Sequence, residues 1–181
     1  MNCTVIVGAS GEGKTYFAKQ KFIVNAPSVW VMDVNNEYWI DKRSDPQGKD
    51  PIKSPKLSDK PTDKRSRYIG GEIMEFLKIA EKKINTNLIF DEATLFFDGR
   101  MTSEITKKLI VSRKHKNNNC VFLFHSIQDV PPFFYRQSNF IVLFKTQDTE
   151  DTFTNKSKWL LPYFLKQKRA PKYSKIIIPR G

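Results

Sequence analysis

Residues 8–15, GASGEGKT, match the pattern G-x-x-x-x-G-K-[ST] at every required position. The chemistry served by this spacing is the cradling of a phosphate chain. Gly8, Gly11 and Gly13 let successive backbone N–H groups turn inward around phosphate oxygens, with Ala9, Ser10 and Glu12 completing the loop and Tyr16 following it. Lys14 has the reach to touch β- and γ-phosphates, and the Thr15 hydroxyl is a natural ligand for Mg2+. A short, β-branched, non-alternating run, Cys3–Val7, precedes the loop, and a helix-compatible stretch, residues 14–21, follows it. That is the context in which such a loop works, because a helix N-terminus adds a dipole favourable to anions.

A second segment, residues 87–92 (NLIFDE), is an apolar strand ending in adjacent carboxylates. Strand residues alternate direction, so the two acids need not share one role. Beside a phosphate loop, Asp91 would hold Mg2+ through a water, and Glu92 would orient and deprotonate an attacking water. Phosphate transfer to a small molecule does not need that second acid, so its presence favours hydrolysis of ATP, with ATP and Mg2+ as cofactors.

The elements that must position these residues follow from periodicity. Residues 29–34 (VWVMDV), 88–90, 121–124 and 140–144 read as further buried strands, and residues 175–178 as a short last one. Apolar residues at Ile73, Phe76, Leu77, Ile79, Ala80 and Ile84 have helical spacing, as do Ile105, Leu109 and Ile110. Residues 150–168 read as helical or mixed, interrupted at Pro162. Residues 41–67 carry prolines and charges without apolar periodicity and read as a long exposed basic loop. Alternating strands and helices predict an α/β fold, a mostly parallel sheet flanked by helices on both faces. The 181 residues suffice for one domain, residues 1–181, with a basic C-terminal segment over 152–181.

Composition narrows the partners. Formal net charge is +12, and no acid follows Asp151, whereas Lys156, Lys158, Lys166, Lys168, Arg169, Lys172, Lys175 and Arg180 all do. Charge segregated in this way suits a polyanion, most simply nucleic acid. No apolar run approaches the ~18–20 residues that span a bilayer, and no secretory signal is evident, so no membrane insertion is expected. Cys3 and Cys120 are too few for a disulfide scaffold or a zinc site and read as reduced core thiols of a cytosolic protein.

With these motifs in place, the chain resembles the HerA/FtsK superfamily of DNA-pumping ATPases, and within it the small genome-packaging ATPases of membrane-containing and double-jelly-roll viruses. Three further stretches carry the resemblance: VMDVNNEY (31–38), LIVSRKHKNNNCVFLF (109–124) and HSIQDVPPFFYRQSNFIVLF (125–144). It implies a P-loop NTPase of the RecA/ASCE type, with the phosphate-loop strand beside the sensor strand and Cys3 near Cys120. It also implies Asp33 at the mouth of the nucleotide site and a polar γ-phosphate sensor, His125 first and Gln128 second. Such enzymes act as homo-oligomeric rings in which a neighbour supplies an arginine finger. Arg113 is the first candidate, followed by Arg136 and Arg100.

The implied function is a Mg-ATP-driven translocase that packages viral DNA into a preformed capsid, in host cytoplasm or with the virion, with capsid vertex proteins as partners. A Zot-like phage extrusion ATPase and a plasmid or cellular DNA translocase are the alternatives. From another class comes a nucleotide-gated DNA-binding module without motor activity, against which Glu92 argues. DNA contacts would be sequence-neutral and made to the backbone. Their candidates are residues 41–67 (Lys53, Lys56, Lys64, Arg65, Arg67), the Arg113-Lys114-His115-Lys116 run and the C-terminal tail.

Overall fold

The computed structural model describes residues 1–35, 38, 57–69, 72–97 and 103–180. In chain order the elements are β1 (Cys3–Val7), α1 (Lys14–Ala18, continued by a π-helical turn over Lys19–Ile23), β2 (Val29–Met32), β3 (Arg65–Tyr68), α2 (Ile73–Lys82), β4 (Asn87–Phe90), α3 (Glu104–Ser112), β5 (Asn119–Phe124), α4 (Pro132–Gln137), β6 (Phe140–Leu143), α5 (Glu150–Ser157), α6 (Leu161–Lys168) and β7 (Ile176–Pro179). The seven strands form one sheet in the order β3-β2-β4-β5-β1-β6-β7. All neighbours are parallel except β6 and β7.

Every residue of β1 and β2 is buried because both faces of the sheet are covered. On one face Ile6, Val31, Ile89 and Leu123 pack with Ala18 and Ile23 from the helix after the glycine loop. On the other, an aromatic seam fills the core under α2 and α4. Trp30 stacks on Phe76 with centroids 5.2 Å apart, Phe90 on Phe122 at 4.4 Å, and Phe134 meets Phe122 edge-on at 4.6 Å. Such pairs contribute roughly 0.5–1.5 kcal/mol each beyond the area they bury. The expected fold class is therefore the observed one.

β7 is antiparallel for a local reason. Pro162 sits in the first turn of α6, where a missing N–H costs nothing, so it starts a helix and does not interrupt one. α5 and α6 then form a hairpin, with Phe153 stacked on Phe164 at 4.2 Å. The hairpin returns the chain to the end of the sheet that β6 had just reached. β7 closes that edge and carries Pro179, which only an edge strand tolerates.

Cys3 and Cys120 are register partners at the start of β1 and β5, both buried free thiols. Burial pushes the Cys3 thiol up to about 12 and raises Cys120 as well. Both therefore stay protonated and unreactive at neutral pH.

Within residues 41–67, positions 59–64 are exposed as expected, and the reading as an exposed loop is corrected at Leu57 and over 65–67. Residues 41–56 lie outside the described residues. Leu57 and Ser66 are buried, and Arg65–Tyr68 is the edge strand β3, paired in parallel with β2. Arg67 is 3 % exposed and holds Asp33 at 2.9 Å and Asp59 at 2.8 Å. Arg65 caps the loop before β2 by donating to the carbonyls of Ala26 and Ile23. These two arginines are internal braces and not a nucleic-acid surface. A strand of sequence Arg-Ser-Arg-Tyr looks polar until its carboxylate partners are in place.

Candidate active site

The glycine loop leaves the C-terminal end of β1. Two glycines are there for conformation: Gly11 has φ 75° and Gly13, which caps α1, has φ 93°. Gly8 is there for space. A Cβ at this position would stand 2.6 Å from the Phe144 Cβ and 3.2 Å from the Lys145 carbonyl oxygen, because the loop is tied to the neighbouring strand ends. The Gly8 N–H donates to Phe124 O at 3.2 Å and the Ala9 N–H to Lys145 O at 2.7 Å. Gly8→Ala should therefore destabilise the fold by about 1–3 kcal/mol, as for other overpacked sites, measured as a lower urea midpoint at unchanged slope.

The N–H groups in the first turn of α1 have no carbonyl of their own helix to bond, so they are available to an anion in the loop. Lys14 is buried and folds back over the loop, its Nζ donating to Ala9 O at 3.1 Å. Ser10 and Gly11 are exposed at the tip, Glu12 is half-buried, and Tyr16 stands outward, 52 % exposed.

Two strands away, β4 ends in the acids. Asp91 is buried, and the Thr15 hydroxyl donates to its Oδ2 at 3.4 Å. Glu92 adopts the left-handed conformation, φ 55°, an uncommon and strained choice for a non-glycine residue. Its N–H donates back to Asp91 Oδ1 at 3.2 Å. This kink, more than strand alternation, separates the two carboxylates.

His125, just past β5, joins the two halves. Its Nδ1 lies 3.3 Å from Lys14 Nζ, and its Nε2 contacts Glu92 Oε2. An ammonium can only donate, so Nδ1 accepts and the ring proton sits on Nε2, which donates to Glu92. The other Glu92 oxygen accepts from Asn35 Nδ2 at 3.3 Å. The His125 N–H donates to Thr94 Oγ1 at 3.1 Å, which fixes the backbone from which the ring projects. One hydrogen-bonded line thus runs from the phosphate-loop lysine through His125 to Glu92. Such an arrangement can bind a phosphate chain, collect its charge and hold a water for in-line attack.

Gln128 is exposed and three residues farther on, lining a cavity of about 410 Å3 with Ala9, Ser10, His125 and Asp148. Asp148 shapes that wall, accepting from Ser126 Oγ and from the Ile127 N–H at 3.0 Å. Burial, then the charge of Asp148, raises the pKa of Asp129 beside it.

Two expected site residues are held by other partners. Asp33 has no exposure: its Oδ2 accepts from Arg67 Nη1 at 2.9 Å and from the Tyr38 N–H at 3.1 Å. It braces β2 against β3, three strands from β1. Arg113 is 5 % exposed at the opposite end of the sheet, donating to Ile110 O at 2.6 Å, Gln137 O at 3.1 Å and Asn139 Oδ1 at 3.2 Å. A side chain consumed by its own fold cannot reach into a neighbour's site. Arg136 is exposed at the end of α4, and Arg100 lies outside the described residues. Lys114 and His115 are exposed, whereas Lys116 bonds the carbonyl of Glu81. Asn35, Thr94 and Asp148 were missed by sequence reasoning, since each is a common polar residue whose role depends on which strand end it meets.

Among the described residues no helix is long and apolar enough to cross a membrane, and no group of three or more His, Cys, Asp or Glu could hold a metal by itself. No protein-family model matches the chain, and no curated protein matches it. Solved structures do. The genome packaging NTPase B204 from Sulfolobus turreted icosahedral virus 2, in complex with ATP-gammaS, is similar with a TM-score of 0.73 at 21% identity, over 98% of this chain and 91% of that one. B204, the DNA-packaging ATPase from Sulfolobus turreted icosahedral virus, is similar with a TM-score of 0.69 at 22% identity, over 98% and 92% of the two chains. At this identity the likeness establishes the fold, that of a P-loop ATPase.

Proposed function

We propose that this protein is an ATP hydrolase that drives DNA into a preformed viral capsid. The observation that carries the reading is the line Lys14–His125–Glu92 laid across the glycine loop. The loop glycines and first-turn N–H groups bind the β- and γ-phosphates, and Lys14 collects their charge. Glu92 holds the attacking water and takes its proton. His125 touches both groups, so it senses whether a γ-phosphate has drawn Lys14 away.

The residues fit Mg2+. The Thr15 hydroxyl and Asp91 carboxylate stand 3.4 Å apart at the loop, an all-oxygen pair of the kind a hard cation shares with substrate phosphates. Bound there, the ion would neutralise charge on the phosphates.

The packaging role is supported by the likeness to a genome packaging NTPase and a DNA-packaging ATPase and by the charge. Lys158, Lys166, Lys168, Arg169 and Lys172 are exposed on the C-terminal hairpin and the turn after it. These are the backbone contacts we assign to DNA. Assembly is into a ring on a capsid vertex, in host cytoplasm or on the virion, with Arg136 of one subunit as the finger for the next.

The test is steady-state ATP hydrolysis against protein concentration, with and without DNA, at two salt concentrations. The rate per chain should rise with concentration and with DNA, and the DNA effect should weaken steeply with salt as counterion release predicts. A rate flat in concentration and indifferent to DNA would overturn the motor. It would leave the alternative of a nucleotide-gated binding module.

A further inference from the structure

Residues 145–149, between β6 and α5, touch the candidate site at two places before the chain becomes the basic hairpin. The first contact is with the glycine loop, where the Ala9 N–H donates to Lys145 O at 2.7 Å. The second is with the turn that follows His125. Both oxygens of Asp148 are used there: one accepts from Ser126 Oγ and the other from the Ile127 N–H at 3.0 Å. Ser126 Oγ also accepts from the Gln128 N–H at 3.0 Å, and Ile127 O accepts from the Tyr135 hydroxyl at 2.8 Å. The turn is therefore clamped from two sides. At its head stands His125, which meets Lys14 and Glu92.

On its other side Asp148 leads directly into α5. Its own N–H donates to Thr146 Oγ1 at 3.2 Å, and Thr149 caps α5 by accepting from the Thr152 N–H at 3.2 Å. Phe153 and Phe164, stacked and buried, lock α5 and α6 into one body. The far end of that body returns to the glycine loop. Gln167, 2 % exposed, donates to Ser174 O at 2.6 Å and seats the turn after α6. In that turn Tyr173 lies close enough that a Cβ on Gly13 would stand 3.4 Å from its Cδ1.

Two lysines here have alternative anionic partners. Lys14 rests on His125 and on Ala9 O, from which a γ-phosphate would draw it. Lys168 rests on Glu150, the first residue of α5, at 3.3 Å, with side chains 61 % and 55 % exposed. An exposed pair of this kind is weak, so a DNA phosphate competes with it readily. Asp148 lies between the two exchanges. It is two residues before Glu150 in the chain and one hydrogen bond from the residue after His125.

We propose that Asp148 is a positioning residue that couples ATP hydrolysis to DNA. Its carboxylate ties the His125 turn to the start of the basic hairpin, so DNA on the hairpin sets how His125 holds Lys14 and Glu92. The inference rests on the function proposed above and adds the route by which the polyanion reaches the site. Its physical basis is a pair of contacts that each have two arrangements, joined by one clamp.

The experiment measures steady-state ATP turnover of the full chain, without DNA and with saturating duplex DNA, for wild type, Asp148→Ala and Asp148→Asn. Anisotropy of the labelled duplex gives DNA affinity in parallel. The quantity compared is the ratio of the two rates, because a partly misfolded preparation lowers both in proportion and leaves the ratio unchanged. Wild type should be stimulated at least about fivefold, the lower end of ordinary coupling, and Asp148→Ala should fall to within about twofold of no stimulation. Asp148→Asn should keep most of the stimulation, since its amide oxygen accepts from the Ile127 N–H while its NH2 donates to Ser126 Oγ. DNA affinity should be unchanged in both variants. Three results would overturn the inference and leave the motor standing. These are a wild-type ratio in Asp148→Ala, an equal loss in Asp148→Asn, and a DNA affinity that falls together with the ratio. Wild type that hydrolyses ATP without any response to DNA would overturn both the inference and the function on which it rests.

Discussion

Glu92→Gln should lower ATP turnover by about 10²–10⁴-fold, the usual weight of a positioned general base, while nucleotide affinity changes by no more than a few-fold. The substitution separates chemistry from architecture. A glutamine amide keeps the hydrogen bond from His125 through its carbonyl oxygen and meets Asn35 once that side-chain amide turns to present its oxygen, but it cannot take a proton from water. The left-handed backbone at position 92 is unaltered, since both residues carry the same Cβ constraint. Single-turnover hydrolysis and direct nucleotide titration, done on one preparation, report the two quantities. If turnover survives within about tenfold, Glu92 is not the base. Asp91 is no substitute, because it is buried against Thr15 where the metal ligand is expected.

Arg67→Ala should cost about 3–5 kcal/mol of folding stability, because it leaves a buried carboxylate without its counter-charge. The Asp33 side chain has no exposure, and its Oδ2 lies 2.9 Å from the guanidinium. Unlike a surface pair, it cannot recover its losses from water. The second carboxylate on Arg67, Asp59, is 58 % exposed and adds little beyond orientation. Urea denaturation measures the loss. DNA affinity of the folded fraction should stay at the wild-type value. A variant that folds normally but binds DNA weakly would reinstate Arg67 as a nucleic-acid contact and remove it from the brace assigned here.

The local geometry of the candidate site was legible from residues 8–15 and 91–92 because backbone conformation demands particular residue types there. Positive φ needs glycine at positions 11 and 13, and the strand-to-helix context is written in the flanking apolar runs. The parallel α/β arrangement followed from strands with no alternation, which must be buried on both faces. The neighbouring Cys3 and Cys120 came from the resemblance, and the register pairs them.

The assignments that failed are Arg113 as a finger and Arg67 as a nucleic-acid contact, because each depended on what a charged side chain would meet. Arg113, Arg67 and Asp33 look functional in a sequence because buried charge is rare, yet each is consumed by partners distant along the chain. Arg113 meets Asn139 across 26 positions, and Arg67 meets Asp33 across 34. Gly8 illustrates the same division within one motif. The pattern required a glycine, but its reason here is the approach of Phe144 from β6, which no local rule contains.

The amino-acid sequence by itself determined the glycine loop, the acidic strand end, the fold class and the excess of positive charge, since these rest on backbone conformation, periodicity and composition. Only the tertiary structure decided which charges are solvent-facing, that His125 bridges Lys14 to Glu92, and that a turn of the basic tail folds over the glycine loop. Those outcomes depend on the order of strands in the sheet. That order brings groups more than a hundred residues apart, such as Lys14 and His125, within 3.3 Å.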